Sequence, residues 1–235
     1  MIAGDRKTGC LLLHGFTGSP FEVEPLSAYL QQKTAWKISV PLLPGHGEGA
    51  TLKGIKHSEW IKTAEDALMQ LLSECEEVYV IGFSMGGIIA CYLAAKYEVS
   101  KLILLSAAAL YVNPKQIAAD SLDLVKAALR GRLKDHELYI RYKTKITKTP
   151  ISAVWQFRTL VKAHRTIFNE IKIPALIAQG GLDGIVPPRS AEYIFHSIPS
   201  NKKSLLWMDE SKHLICHCKQ KNRLFEEIYK FLTES

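Results

Sequence analysis

The chain has no long hydrophobic run. Its longest nearly apolar stretch, Leu102 to Val112, is 11 residues long and contains Ser106. A membrane-spanning helix needs about 20 residues, so no integral membrane segment is expected. A paired cysteine set is also missing. Cys10, Cys75, Cys91, Cys216 and Cys218 are five irregularly spaced residues in a chain of 235, which argues for reduced thiols and a cytoplasmic home rather than a disulfide scaffold. The residues Met1 to Lys7 carry charges and lead into no apolar core ending at a small-residue cleavage site, so no signal peptide is expected. Repeats, low-complexity tracts and long Pro/Gly/Ser linkers are absent as well, and the expectation is one domain over 1–235.

Most of the net charge of +7 sits in one place. Between Lys126 and Lys148 eight basic residues face only Asp135 and Glu137, a surplus of six. Only Tyr139 and Tyr142 fall inside that run as stacking aromatics, and no nucleic-acid-binding motif accompanies it, so no nucleic-acid partner is expected. The stretch reads as a solvated helical face, with attraction of an anionic substrate or an acidic membrane surface as the alternative.

What is present is an alternation of short strand-like runs with longer amphipathic stretches, the pattern of a parallel sheet flanked by helices. Strands are predicted over Cys10–His14, Trp36–Pro41, Val78–Gly82, Leu102–Ser106, Ala175–Gln179 and Ser204–Met208. Several are continuously apolar, as strands covered on both faces should be. Helices are predicted over Phe21–Gln32, Ser58–Ser73, Met85–Lys96, Ser190–Ser197 and Lys219–Leu232. From 110 to 170 no strand-like run occurs, which suggests a helical lid inserted over one edge of the sheet.

Chemistry concentrates in Gly82-Phe83-Ser84-Met85-Gly86. The run Val78–Ile81 precedes this G-x-S-x-G pattern, and a helix rich in small residues follows it. That is the strand–turn–helix setting of a nucleophile elbow. A serine hydroxyl needs a base to take its proton, and the base needs an orienting carboxylate. Asp183 follows the strand Ala175–Gln179 and His213 follows Ser204–Met208, so both belong to loops on the same sheet edge as the elbow. Asp183 is preferred to Asp209, which lies close to His213 in sequence. The tetrahedral intermediate of acyl transfer requires fixed donors for its oxyanion; the backbone N–H groups of Met85 and of Phe16, in the loop after the first strand, are the candidates.

The other histidines are read as structural: His14 and His46 as shapers of loops, and His57, His136, His164 and His196 as surface or packing residues. His213, Cys216, His217 and Cys218 are a conceivable zinc cluster, but no second Cys/His pair at a usual spacing completes it. No metal is expected.

Leu12-Leu13-His14-Gly15-Phe16-Thr17-Gly18, Pro44-Gly45-His46-Gly47, Gly82-Phe83-Ser84-Met85-Gly86-Gly87, Gly181-Leu182-Asp183 with Val186-Pro187-Pro188, and His213 occur in this order. Together they resemble the serine α/β-hydrolases, and most of all bacterial carboxylesterases and monoacylglycerol lipases. The resemblance implies an α/β-hydrolase fold with a mostly parallel sheet of about 6–7 strands and a small helical lid. The short stretch before the first strand implies that the usual leading hairpin is missing or very short. It further implies Ser84 as nucleophile, Asp183 as acid, His213 as base, and Phe16 and Met85 as oxyanion donors. The expected reaction is hydrolysis of a small-molecule acyl ester, with no cofactor. A thioesterase or an acyltransferase could use the same residues, and a non-catalytic ligand-binding protein on this scaffold is the alternative from another class. Trp155 and Phe157, apolar residues of the lid, are the candidate acyl-pocket residues.

Overall fold

The computed structural model describes residues 7–110 and 149–234. The basic stretch Lys126–Lys148, and most of the 110–170 insertion, lie outside them. Six parallel strands form one sheet: β1 (Thr8–Leu13), β2 (Lys37–Ser39), β3 (Glu77–Phe83), β4 (Lys101–Leu105), β5 (Ala175–Gly180) and β6 (Lys203–Met208), in the order β2-β1-β3-β4-β5-β6. The helices are α1 (Glu24–Lys33), α2 (His57–Glu74), α3 (Met85–Lys96), α4 (Ile151–Ala163), α5 (Arg189–Ser197) and α6 (Lys221–Thr233).

Neighbouring side chains on a strand point to opposite faces, and here both faces are covered. Leu11, Leu13, Val78, Val80, Leu102, Leu104, Ala175 and Ile177 face one core, shared with apolar residues of α2, α3, α4 and α5. Cys10, Leu12, Tyr79, Ile81, Ile103, Leu105, Leu176 and Ala178 face a second core, filled by Leu26 and Leu30 of α1 and by Leu224, Phe225 and Ile228 of α6. Burial on both sides is why the central strands read as unbroken apolar runs.

Three predicted elements are shorter than expected, one of them by a single residue: the helix expected over Lys219–Leu232 is α6, Lys221–Thr233. Only Lys37–Ser39 of the Trp36–Pro41 run pairs, because β2 is an edge strand with β1 as its one neighbour. The predicted helix from Phe21 starts as a 3-10 turn, Pro20–Glu22, and α1 begins at Glu24 with Pro25 in its first turn, where a missing N–H costs nothing.

After β1 the chain crosses to β2 on one side and then returns to β3 on the other. In parallel sheets a reversal of this kind opens a crevice at the carboxyl ends of the two strands. The loops after β1 and β3, which carry Phe16 and Ser84, flank it. The three non-glycine residues with positive φ among the described residues, Thr17, Ser84 and Ser106, follow β1, β3 and β4 on this same edge.

Candidate active site

Ser84 stands between β3 and α3 with φ 53° and ψ −114°, a backbone conformation that costs on the order of 1–3 kcal/mol and persists only when surrounding structure imposes it. That structure is visible. Ser84 N–H donates to Leu105 O (2.9 Å), and Ala108 N–H donates to Ser84 O (3.2 Å). The flanking glycines are required by contact rather than by dihedral angle. A Cβ on Gly82 would lie 2.3 Å from Gly86 O, and one on Gly86 would lie 2.4 Å from Leu13 O. Strand, turn and helix can pack this closely only without those carbons.

Asp183 and His213 arrive from the loops after β5 and β6. The side chain of Asp183 is fully buried, and its carboxylate gathers four donors. Oδ1 accepts the backbone N–H groups of Ile185 (2.9 Å) and Val186 (3.0 Å). Oδ2 accepts from Gln179 Nε2 (2.9 Å) and from His213 Nδ1 (2.8 Å). A carboxylate only accepts, so His213 carries its proton on Nδ1, and its Nε2 is free to accept from Ser84 Oγ at 3.1 Å. The Phe83 ring packs against the imidazole, with centroids 4.9 Å apart. Ser84, His213 and Asp183 thus form one continuous hydrogen-bonded line, and Asp209 is an exposed residue outside it.

The loop after β1 is held on several sides. Gly15 N–H donates to the buried Glu22 carboxylate (2.9 Å), and Gly18 N–H donates to Gly15 O (3.2 Å). His14 is fully buried; its Nδ1–H donates to Gly15 O (2.9 Å) and its Nε2 accepts Leu43 N–H (3.1 Å). It ties two loops together as a neutral ring. The Phe16 ring stacks on Phe157 of α4 at 4.9 Å and 9°, and lies 5.8 Å from the Trp60 ring. Among the described residues, no hydrogen bond engages the backbone N–H of Phe16 or of Met85.

The two candidate acyl-pocket residues point in different directions. Phe157 is half-buried against the Phe16 loop, whereas Trp155, two residues away and so on another face of α4, is 63% exposed. Trp155 lines an open groove of about 1090 Å³ with Leu110, Arg158, Lys162, Arg165 and Arg189. The conceivable zinc cluster is dispersed. His213 is engaged with Asp183 and Ser84, His217 stacks on Phe21 and bonds its carbonyl (2.8 Å), and burial pushes the Cys216 thiol well above its ordinary pKa. No group of three or more His, Cys, Asp or Glu suited to a metal occurs among the described residues. No described helix is long and apolar enough to cross a membrane.

Three contacts have no counterpart in the reading of the sequence. Glu22 on Gly15 and Gln179 on Asp183 are two of them. The third is Ser190, whose buried Oγ accepts from Ala109 N–H (3.1 Å) and donates to Ala107 O (2.9 Å), fixing the exit of β4. A polar residue closing an otherwise apolar strand next to an acid loop is the available signal for Gln179.

A parallel sheet flanked by helices, a strained serine at a strand–helix turn, and a buried His–Asp pair on that serine define a serine hydrolase of the α/β-hydrolase class, of the esterase and lipase type. The chain belongs to the family described as serine aminopeptidase, S33, which it matches over residues 4–219. It is 29% identical over 220 residues to a thermostable monoacylglycerol lipase of Bacillus sp. (strain H-257), covering 90% of this chain and 85% of that one. It is 25% identical over 233 residues to a carboxylesterase of Bacillus subtilis (strain 168), covering 98% and 94%. A solved structure from work on two metagenome-derived lipolytic enzymes superposes with a TM-score of 0.80 at 24% identity, covering 97% of this chain and 94% of that one.

Proposed function

We propose that the protein is a carboxylesterase or monoacylglycerol-lipase-like enzyme that works through an acyl-enzyme on Ser84. The Ser84–His213–Asp183 line, at 3.1 and 2.8 Å, carries this reading. Ser84 Oγ attacks the ester carbonyl carbon as its proton passes to His213 Nε2. Asp183 stabilises the imidazolium through Nδ1–H and holds the ring in place. The negative oxygen of the tetrahedral intermediate is bound by the N–H groups of Phe16 and Met85, and the start of α3 adds its positive dipole end. Collapse expels the alcohol, which takes the proton from Nε2. Water then gives a proton to His213 and attacks the acyl carbonyl, and Ser84 leaves with that proton.

In this reading the chain is one domain, with 110–170 as an insertion beside the catalytic edge. Phe157 borders the acyl site at the Phe16 loop, and Trp155 contributes from the groove. The names of the curated relatives support acyl esters of small alcohols or glycerol as substrates. Five free cysteines, three of them buried, support a reducing, cytoplasmic setting. The test is a chain-length series of p-nitrophenyl and monoacylglycerol esters with the wild-type protein and Ser84→Ala. Hydrolysis that is lost in the variant supports the proposal; hydrolysis that persists refutes it.

A further inference from the structure

Gln179 is the last polar residue before the acid loop, and it is fully buried. Its amide is oriented unambiguously by its surroundings. Nε2 faces Asp183 Oδ2 at 2.9 Å, Gly180 O at 3.4 Å and Val186 O at 3.4 Å. All three are acceptors, so the NH₂ must point at them; the flipped amide would set an oxygen against a carboxylate. The other end of the amide is in a worse position. Gln179 Oε1 is buried and makes no hydrogen bond among the described residues, and a buried acceptor left without a donor destabilises the folded state. Methionine or leucine would fill this volume without that cost. A residue that is unfavourable for folding but donates to a reacting constellation is the expected form of a stability–function trade-off.

We infer that Gln179 is a positioning residue of the site, holding the Asp183 carboxylate on His213 at the expense of stability. The inference rests on the proposed roles of Ser84, His213 and Asp183. Oδ2 is shared by two donors, and the one from Gln179 is permanent whatever the charge on the imidazole. It draws negative charge from the oxygen that faces His213. It therefore steadies the buried carboxylate as the acceptor of His213 Nδ1–H and limits how strongly that oxygen holds the ring. Among the described residues His213 is the titratable side chain bonded to Asp183. Of the other charged groups on the elements packed around the site, Glu22 is buried and accepts Gly15 N–H, whereas Asp209, Glu210 and Lys212 after β6, Arg189 at the start of α5, and Glu226 and Glu227 of α6 lie at the surface.

The test is Gln179→Met in the full chain, with kcat, KM, the pH profile and thermal melting measured together. The melting temperature should stay level or rise, because the orphaned oxygen is gone. The kcat should fall about tenfold or more, well short of the ~10⁴-fold cost of losing the acid's role, with KM within about twofold. Without the amide donor Asp183 holds the imidazolium more strongly, so the acid limb of kcat/KM should move to higher pH. An unchanged kcat and acid limb would overturn the inference. So would a variant that fails to fold or melts several degrees lower, which would make Gln179 a packing residue. Fluorophosphonate labelling of Ser84 in the wild type separates the two levels of the proposal. Labelling that is intact beside a negative Gln179→Met result rejects the role of Gln179 alone, and labelling that is absent rejects the reading of the site.

Discussion

The elbow and the acid loop deliver their side chains to the same place by different means. At the elbow, backbone crowding does the holding. Ser84 sits at φ 53°, and Gly82 and Gly86 touch neighbouring backbone closely enough that no Cβ fits. In the acid loop, hydrogen bonds do the holding, since Asp183 accepts two backbone N–H groups and two side-chain donors. In the proposed mechanism Ser84 must stay reactive, so it cannot be tied down through its own hydroxyl; strain fixes its backbone and leaves Oγ for His213. In the same mechanism Asp183 only orients the base, so it can be bonded on every side. Strain suits the group proposed to react, and bonding suits the group proposed to orient.

Substitutions can break this contrast, and the largest effects should come from the reacting groups. Ser84→Ala and Asp183→Asn should each lower kcat by about 10⁴-fold or more with the fold intact. Asp209→Asn should stay within about twofold, as measured by steady-state ester hydrolysis and circular dichroism. Equal losses for the two aspartate variants would reassign the acid.

The glycines sharpen the comparison at the next level. Gly86→Ala puts a carbon 2.4 Å from Leu13 O, so the elbow must shift. A shift of about 1 Å at a reacting atom costs on the order of 10²-fold in rate. In the acid loop a Cβ on Gly184 would meet nothing within 4 Å, so Gly184→Ala should leave activity unchanged and raise stability by about 0.4–1 kcal/mol. Thermal melting with kcat on both variants checks this, and a harmful Gly184→Ala would mean that the acid loop too is sterically constrained.

Smaller effects belong to α4. Phe157→Ala removes the ring stacked on Phe16, an aromatic pair worth about 0.5–1.5 kcal/mol beyond its buried area, and should lower kcat/KM several-fold and shift the preferred acyl length. Trp155→Ala, on the exposed face, should shift only that preference. Lys143→Ala with Lys145→Ala should move neither for neutral esters; an acyl optimum set by the lysine pair would assign the pocket to the basic face. Prolonged EDTA treatment should have the least effect of all, with activity retained and no stoichiometric zinc found.

Much of this is legible in the sequence, for a physical reason. Burial on both faces imposes continuous apolar runs, so the strands announce themselves, and the close packing at the elbow imposes glycines at fixed offsets from Ser84. The predicted bounds of α3, Met85–Lys96, are those the structure shows. The contacts of Glu22, Gln179 and Ser190 are not legible. Glu22 and Gln179 meet their partners only because one connecting segment turns back on itself, and Ser190 only because distant parts of the chain meet; no periodicity records either. Trp155 and Phe157 group together in the sequence only because both are aromatic. Their spacing of two residues on a helix already sets them on different faces.

The central claim is that the environment of Ser84 makes it a nucleophile. The most direct measurement is fluorophosphonate labelling of the native protein, followed by intact mass and peptide mapping. One adduct per chain is predicted, on the peptide containing Ser84, forming rapidly at neutral pH and far more slowly in His213→Ala. No adduct, an adduct on another residue, or equal labelling rates in the two proteins would contradict it.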